Sequence, residues 1–259
     1  MPEKFKLPAI LALSIIDTLL ASSVIYLNAR NTANPKEPSS LFSPLAKEKS
    51  TQKIASATPS AELSDPFNLL LLGLDRRSRE EKSYRTDAIM VVSVLKEAKK
   101  VVLTSIPRDL WLSGNKINAY FANEGFDKFK ERIAEVTGLE PSHYVTVDFD
   151  TAVWAVDQLG GVETEIERGF TDYNYPSDRS SAPHPPSFQA GIQTLNGEEA
   201  LEYSRSRKGN SGEGSDFRRM RRQQNLLNSM PQAFEKSNLA KLGAEALYNL
   251  LTGHLETNL

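Results

Sequence analysis

The sequence predicts a mixed α/β domain, built as an α/β sandwich behind an apolar N-terminal segment. Three observations point there. Phe67 to Leu74 (F-N-L-L-L-L-G-L) is an unbroken apolar run, the pattern of a strand buried on both faces. Strand-like and helix-like periodicities then mix along one stretch of about 190 residues, as layered α/β architectures require. Ahead of them, Leu7 to Asn28 is apolar apart from Asp17, a few hydroxyls and the closing asparagine.

The chain has 259 residues and a formal net charge of -2, so no global field draws it to nucleic acid. A hydrophobic fraction of 39% is enough for a real core. With no cysteine, disulfides, thiolate zinc sites and cysteine nucleophiles are excluded.

Residues 1–6 form a short polar tail with Lys4 and Lys6. As a helix, residues 7–28 would span about 30 Å, the thickness of a bilayer core. The leading lysines favour an inside N-terminus and put the remainder outside the cytoplasm. Ala21-Ser22-Ser23 resembles a cleavage site, but the apolar run continues through Val24, Ile25, Tyr26 and Leu27. An uncleaved signal anchor is therefore preferred to a cleaved signal peptide. Residues 29–64 are rich in Pro, Ser, Thr, Ala and Lys and read as a flexible tether. The domain occupies 65–259.

Within it, the first strand exits at Asp75-Arg76-Arg77. Ala88 to Leu95 is a second strand, and Lys96 to Lys100 a turn. Val101 to Ile106 is a third strand, antiparallel to the second and ending at Pro107-Arg108-Asp109. Asn118 to Val136 has helical spacing closed by Gly138. His143 to Phe149 alternates as a strand, Thr151 to Leu159 is a short helix ending at Gly160-Gly161, and Val162 to Ile166 is a strand. Arg168 to Ser187 is a long proline-rich polar loop of the kind that often carries function. Asn196 and Glu199 form a capping box for a helix through Tyr203, and a last helix lies near Leu239 to Leu251. Trp111, Phe121 and Phe126 are assigned to the core.

The richest chemistry lies between Arg205 and Gln223, where Arg205, Arg207, Lys208, Arg218, Arg219, Arg221 and Arg222 surround Gly209, Gly212 and Gly214. Asp216 stands at an N-cap position, and Asp216, Arg219 and Gln223 share one helix face. Phe217, Met220 and Leu227 form a separate stripe suited to burial. A glycine loop flanked by guanidinium groups and feeding a helix N-terminus suits a polyanion such as a pyrophosphate. The competing reading is a solvated basic helix. Asp75, Asp87 and Asp109 suit metal or proton chemistry, or ordinary turn and cap duty. Arg108 reads either as a phosphate ligand or as a surface ion pair with Asp109. The histidines His143, His184 and His254 lack metal-ligand spacing. No G-x-x-x-x-G-K-[ST] loop and no G-x-S-x-G elbow is present. Glu124, Asp148 and Asp150 give a carboxylate-pair glycosidase no support beyond their presence.

Several segments, in order, resemble one family. They are Gly73 to Arg77, Arg85-Thr86-Asp87, Ser105 to Asp109, Lys116 to Ala119 and Leu159 to Val162, followed by Leu195 to Leu201, Ser204 to Arg207, and Ser215-Asp216-Phe217 with Arg221 to Gln224. Together they are similar to the LytR–CpsA–Psr proteins, from about Pro66 to the C-terminus. Two departures stand out: Arg218 replaces a usual glycine, and Asn210 to Gly214 lengthens the loop. Relatives in that family also usually continue for several residues beyond Leu259.

The resemblance implies an α/β/α sandwich around a mixed β-sheet, with a long apolar pocket for a prenyl chain. It implies a bacterial membrane-anchored, extracytoplasmic phosphotransferase that moves a glycopolymer from a polyprenyl-pyrophosphate carrier onto peptidoglycan. By the same resemblance Asp75 and Asp87 hold one magnesium ion. Arg85, Arg108, Arg205, Arg207, Arg219 and Gln223 surround the pyrophosphate, and Lys116 and Asp216 belong to the same polar site. Arg108, Asp75 and Asp87 are the expected catalytic residues, with Asp75 or Asp109 as base. A non-catalytic carrier of polyprenyl phosphate is the alternative. A nucleic-acid-binding regulator ranks below it, since the anchor places the arginine helix on the wrong side of the membrane, and no nucleic-acid partner is expected.

Overall fold

The elements run in order as β1 (Phe67–Asp75), β2 (Arg85–Leu95), β3 (Lys100–Ile106), β4 (Trp111–Leu112), β5 (Asn115–Lys116), a 3-10 turn (Ile117–Ala119) and α1 (Tyr120–Thr137). Then follow β6 (His143–Val147), α2 (Phe149–Gln158), β7 (Val162–Ile166), β8 (Phe170–Thr171), β9 (Ser187–Phe188), β10 (Gly191–Leu195) and α3 (Gly197–Arg205). The chain closes with α4 (Asp216–Lys236), a 3-10 turn (Asn238–Lys241), α5 (Ala244–His254) and β11 (Glu256–Thr257). This computed structural model describes residues 66–76, 81, 84–176 and 185–259. The expected tail, membrane anchor and tether at 1–64 lie outside the described residues, as does Arg77. Among the described residues no helix is long and apolar enough to cross a membrane.

β1 is the centre of a mixed five-stranded sheet of order β11-β6-β1-β2-β3. It pairs antiparallel with β2 and parallel with β6, so it is shielded on both edges and both faces. That is why its sequence is apolar without alternation. Leu70, Leu72 and Leu74 face Ile117, Tyr120, Phe121, Phe129 and Ile133 of the 3-10 turn and α1, joined by Ile89, Val91 and Ile106. Each fully buried side chain of this size contributes about 1.5–3 kcal/mol. On the opposite face, Leu69, Val92 and Val145 pack with the partly buried Leu71, Leu103, Leu255 and Leu259. A separate cluster of Val156, Val162, Ile166, Leu195, Ala200, Tyr203 and Ala233 ties α2, α3 and α4 to the β7–β10 ladder.

The described layers are a mixed α/β fold about a mixed sheet. Gly138 closes α1 at φ 70, as its glycine signalled, and the Asn196–Glu199 capping box opens α3. Several boundaries move. β2 begins at Arg85, three residues before the apolar run, because Arg85 and Thr86 still pair with Asp75 and Leu74. β6 ends at Val147, since Asp148 accepts the Thr151 N–H and starts α2. The predicted loop at 168–187 contains a short ladder, with Phe170 opposite Phe188. Trp111 is 65% exposed and Phe217 73% exposed, so neither belongs to the core, whereas Phe121 is buried. Ser215, not Asp216, caps α4, accepting the Arg218 N–H at 3.1 Å.

Candidate active site

The carboxyl ends of β1, β3 and β6 and the amino end of β2 meet at one end of the sheet, and the charges gather there. Along the β1–β2 pair Gly73 faces Ala88, but Leu74 faces Thr86, so Asp87 is an extra residue in a β-bulge. Bulges turn a strand and re-aim a side chain. Asp87 thereby meets the turn after β3, where the Leu110 N–H returns to the Pro107 carbonyl. Arg108 places Nη1 2.5 Å from Asp87 Oδ2, with Nε 3.5 Å from Asp109 and 3.9 Å from Asp216. Its pairing with Asp109 is thus one contact of several.

α4 supplies the other wall. With Ser215 as cap, Asp216 is free to pair with Arg219 at 2.8 Å. Arg219 Nη2 also donates to the Asp87 carbonyl oxygen at 2.9 Å, joining segments 132 residues apart. Asp216 and Arg219 share a helix face as expected. The inward stripe of α4, however, includes Arg219 and Arg222 rather than the predicted Phe217. Arg222, 3% exposed, is matched by Glu213 at 2.8 Å, and its guanidinium also donates to the Ser206 and Tyr203 carbonyls.

Burial opposes the charge on Arg108, but Asp87, Asp109 and Asp216 outweigh it and raise its pKa. For Arg219 burial wins: its pKa is lowered despite Asp216, with Arg108 and Arg207 adding repulsion. Asp109 is held below the usual carboxylate value by its hydrogen bond from Lys116, and Arg108 and Arg207 reinforce this. The Lys116 Nζ to Asp109 Oδ1 distance is 2.6 Å. Arg108, Asp87, Asp109, Lys116, Asp216, Arg219 and Arg207 therefore form one electrostatic unit.

The remaining expected residues stand at its margin. Asp75 and Arg85 face each other in register at the exposed end of the β1–β2 pair. Gln223 donates to the Ser204 carbonyl at 3.2 Å, fastening α4 to the end of α3. Arg205 stacks on Phe149 at 3.9 Å from the ring centroid. Sequence reasoning missed the Arg76–Asp148 pair (3.4 Å) beside Asp75, because it joins β1's end to the start of α2 across 72 residues and no spacing links the two. Nor did it mark Asp172 and Tyr175, which lie within what read as loop.

Four buried polar atoms here have no hydrogen-bond partner among the described residues: Asp87 Oδ1, Thr86 Oγ1, Arg108 Nε and Arg219 Nε. Buried polar groups are rarely left unmatched. A lone carboxylate oxygen suits a cation and the Arg219 Nε–H suits an anion, whereas Arg108 Nε already lies within ion-pair distance of Asp109 and Asp216. Among the described residues no cluster of three or more His, Asp or Glu side chains is placed to hold a metal. Magnesium needs no such cluster, since it usually takes one or two carboxylates and completes its shell with water and phosphate.

The chain is similar to several known proteins. The chain is 31% identical over 203 residues to the polyisoprenyl-teichoic acid–peptidoglycan teichoic acid transferase TagV of Bacillus subtilis, covering 75% of this chain and 50% of that protein. It is 29% identical to a TagU of Halalkalibacterium halodurans, covering 85% of this chain and 68% of the relative. The crystal structure of B. subtilis TagV superimposes with a TM-score of 0.59 at 30% identity, over 75% of this chain and 74% of the other. The structure of TagT bound to LIIa-WTA superimposes with a TM-score of 0.55 at 25% identity, over 82% and 75% of the two chains. The chain thus spans about half the length of TagV. Residues 28–259 match the LytR_cpsA_psr family, and the chain belongs to it.

Proposed function

We propose that this chain carries the catalytic domain of a membrane-anchored, extracytoplasmic transferase. It moves a glycopolymer from a polyprenyl-pyrophosphate carrier to peptidoglycan. The observation that carries this reading is the convergence of Arg108 and Arg219 on Asp87 and Asp216, with the unmatched Arg219 Nε–H beside an unmatched carboxylate oxygen of Asp87.

In the reaction an acceptor hydroxyl attacks the phosphorus next to the glycopolymer. A new P–O bond forms, the P–O bond to polyprenyl phosphate breaks, and the hydroxyl proton passes to a carboxylate. Such transfers ask the protein mainly for positioning and charge stabilisation. Arg108 and Arg219 offer fixed, partly desolvated donors for the phosphate oxygens, and Arg207 adds positive field from the α3–α4 loop. Asp87 and Asp75, on paired strands, would hold magnesium. Bound there, the metal would neutralise charge on the pyrophosphate oxygens. Of the two carboxylates considered as base, Asp109 is already engaged by Lys116, whose hydrogen bond favours its ionised form.

The test follows transfer of a labelled glycopolymer from a polyprenyl-pyrophosphate donor to peptidoglycan, with and without magnesium. Removing one preorganised donor to a developing anion typically lowers turnover by about 100- to 1000-fold, the loss expected for Arg108→Ala. Full transfer by folded Arg108→Ala would overturn the site. Lipid binding without any turnover would mark a carrier instead.

A further inference from the structure

Between Arg205 and Arg222, four arginines have a carboxylate partner: Arg218 with Glu213 at 3.6 Å, Arg219 with Asp216 at 2.8 Å, Arg221 with Glu167 at 2.6 Å and Arg222 with Glu213 at 2.8 Å. Arg205 and Arg207 are held differently, although a buried carboxylate lies beside them. Asp172 is 2% exposed, yet it pairs with neither guanidinium. Its Oδ2 accepts the backbone N–H groups of Arg207 and Lys208, both at 3.1 Å, and its Oδ1 accepts that of Asn174 at 3.1 Å. Such a carboxylate fixes the backbone at Arg207 without an ion pair to its guanidinium, whose field reaches Asp109 instead.

Arg205 is held by a neutral hydroxyl and by stacking. Its Nη1 donates to the Tyr175 hydroxyl at 3.1 Å, and its guanidinium carbon lies 3.9 Å from the Phe149 centroid and 5.5 Å from that of Tyr175. Stacking covers the faces of the fork and leaves edge N–H groups for an oxyanion. Asp172 and Tyr175 belong to one turn, closed by the Tyr175 N–H on the Asp172 carbonyl at 3.3 Å and tied to β9 by the Asp172 N–H on Pro186 at 3.0 Å.

We propose that the turn Asp172–Tyr175 is a positioning element that presents Arg205 and Arg207 to the pyrophosphate. Tyr175 acts through the Arg205 guanidinium, and Asp172 acts through the amides that open the Arg207 loop. A neutral hydroxyl, an aromatic face and backbone amides do the holding, and each leaves guanidinium N–H groups for a ligand. This rests on the phosphotransferase reading above.

The test is a pair of double-mutant cycles read by calorimetric binding of inorganic pyrophosphate to the full chain. Tyr175→Phe, which removes one oxygen, should weaken binding roughly threefold to tenfold, the worth of one hydrogen bond. It should cause no further loss in an Arg205→Ala background. Asp172→Asn should weaken binding likewise, with no further loss beside Arg207→Ala. If Asp172→Asn does not fold, the Tyr175 cycle decides alone. Equal losses in both backgrounds, or an unchanged affinity in Tyr175→Phe, overturn the proposal. Absence of pyrophosphate binding by the unaltered chain overturns the site reading itself. Normal binding that Arg205→Ala weakens but Tyr175→Phe does not overturns only the positioning role.

Discussion

Arg108 and Asp87 meet at 2.5 Å across the end of the sheet, although β2 would pair past Asp87 without its bulge. The contact keeps a guanidinium and a carboxylate desolvated together, and each restrains the other's affinity for an outside partner. Asp87→Asn removes the charge and nearly preserves the shape. Without magnesium, pyrophosphate should bind this variant several-fold more tightly, because Arg108 loses its main counter-charge. Any strengthening of binding by magnesium should disappear. Titrations with and without the metal check both halves, and weaker metal-free binding would contradict the electrostatic argument.

Gly73 fixes the approach of the two strands beside that bulge. A Cβ added there would lie 2.9 Å from the Ala88 Cβ, inside van der Waals contact, and the rigid neighbour cannot swing away. Gly73→Ala is expected to destabilise the fold by about 1–3 kcal/mol, the usual effect of overpacking. Urea unfolding measures it. Ala88→Gly in the same chain should recover most of the loss, which would separate a local clash from a general weakness of β1.

How far the sequence could be read depends on which signal each element uses. β1 and β2 announced themselves because burial on two faces demands continuous apolar runs, β3 as the antiparallel return after the turn at Lys96–Lys99, and α3 because its capping box is local chemistry. The bulge at Asp87 is set by pairing with a distant strand and leaves no local trace. Ser215 and Asp216 both make good caps, and only the geometry of the Arg218 N–H chooses between them. The burial of Asp172 depends on a turn that packs under the Arg207 loop. The candidate site was legible as residue types in order, but not as a set of contacts.

Phe217 shows where the periodicity argument breaks down. In a helix so rich in arginine, the inward positions go to guanidinium groups that have carboxylates and carbonyl oxygens to meet them. The phenylalanine is left 73% exposed. Phe217→Ser should therefore change unfolding free energy by less than about 0.5 kcal/mol, as at other surface positions. A loss typical of a core phenylalanine, about 3–5 kcal/mol, would show that the side chain is buried after all.

Asp148 gives the fold an acid-sensitive joint next to the site. Burial pushes its pKa up, but the Thr151 hydrogen bonds and Arg76 more than offset this, and the carboxyl is held below its usual value. Arg76 also reaches Glu256 at 3.5 Å, so the joint helps to hold β11 at the sheet's edge. A carboxylate depressed in the folded state contributes stability that is complete above its unfolded value of about 4 and is lost as pH falls through the folded one. Asp148→Asn retains a side chain able to cap α2 but removes the charge. At neutral pH it should cost roughly 1–3 kcal/mol, the penalty for leaving a buried partner poorly matched. Thermal midpoints followed from about pH 7 down to pH 3 should fall less steeply for the variant below pH 4, because it has no proton to gain at that position. Parallel acid limbs for the two proteins would assign the acid sensitivity to other carboxylates and leave Asp148 only its capping role.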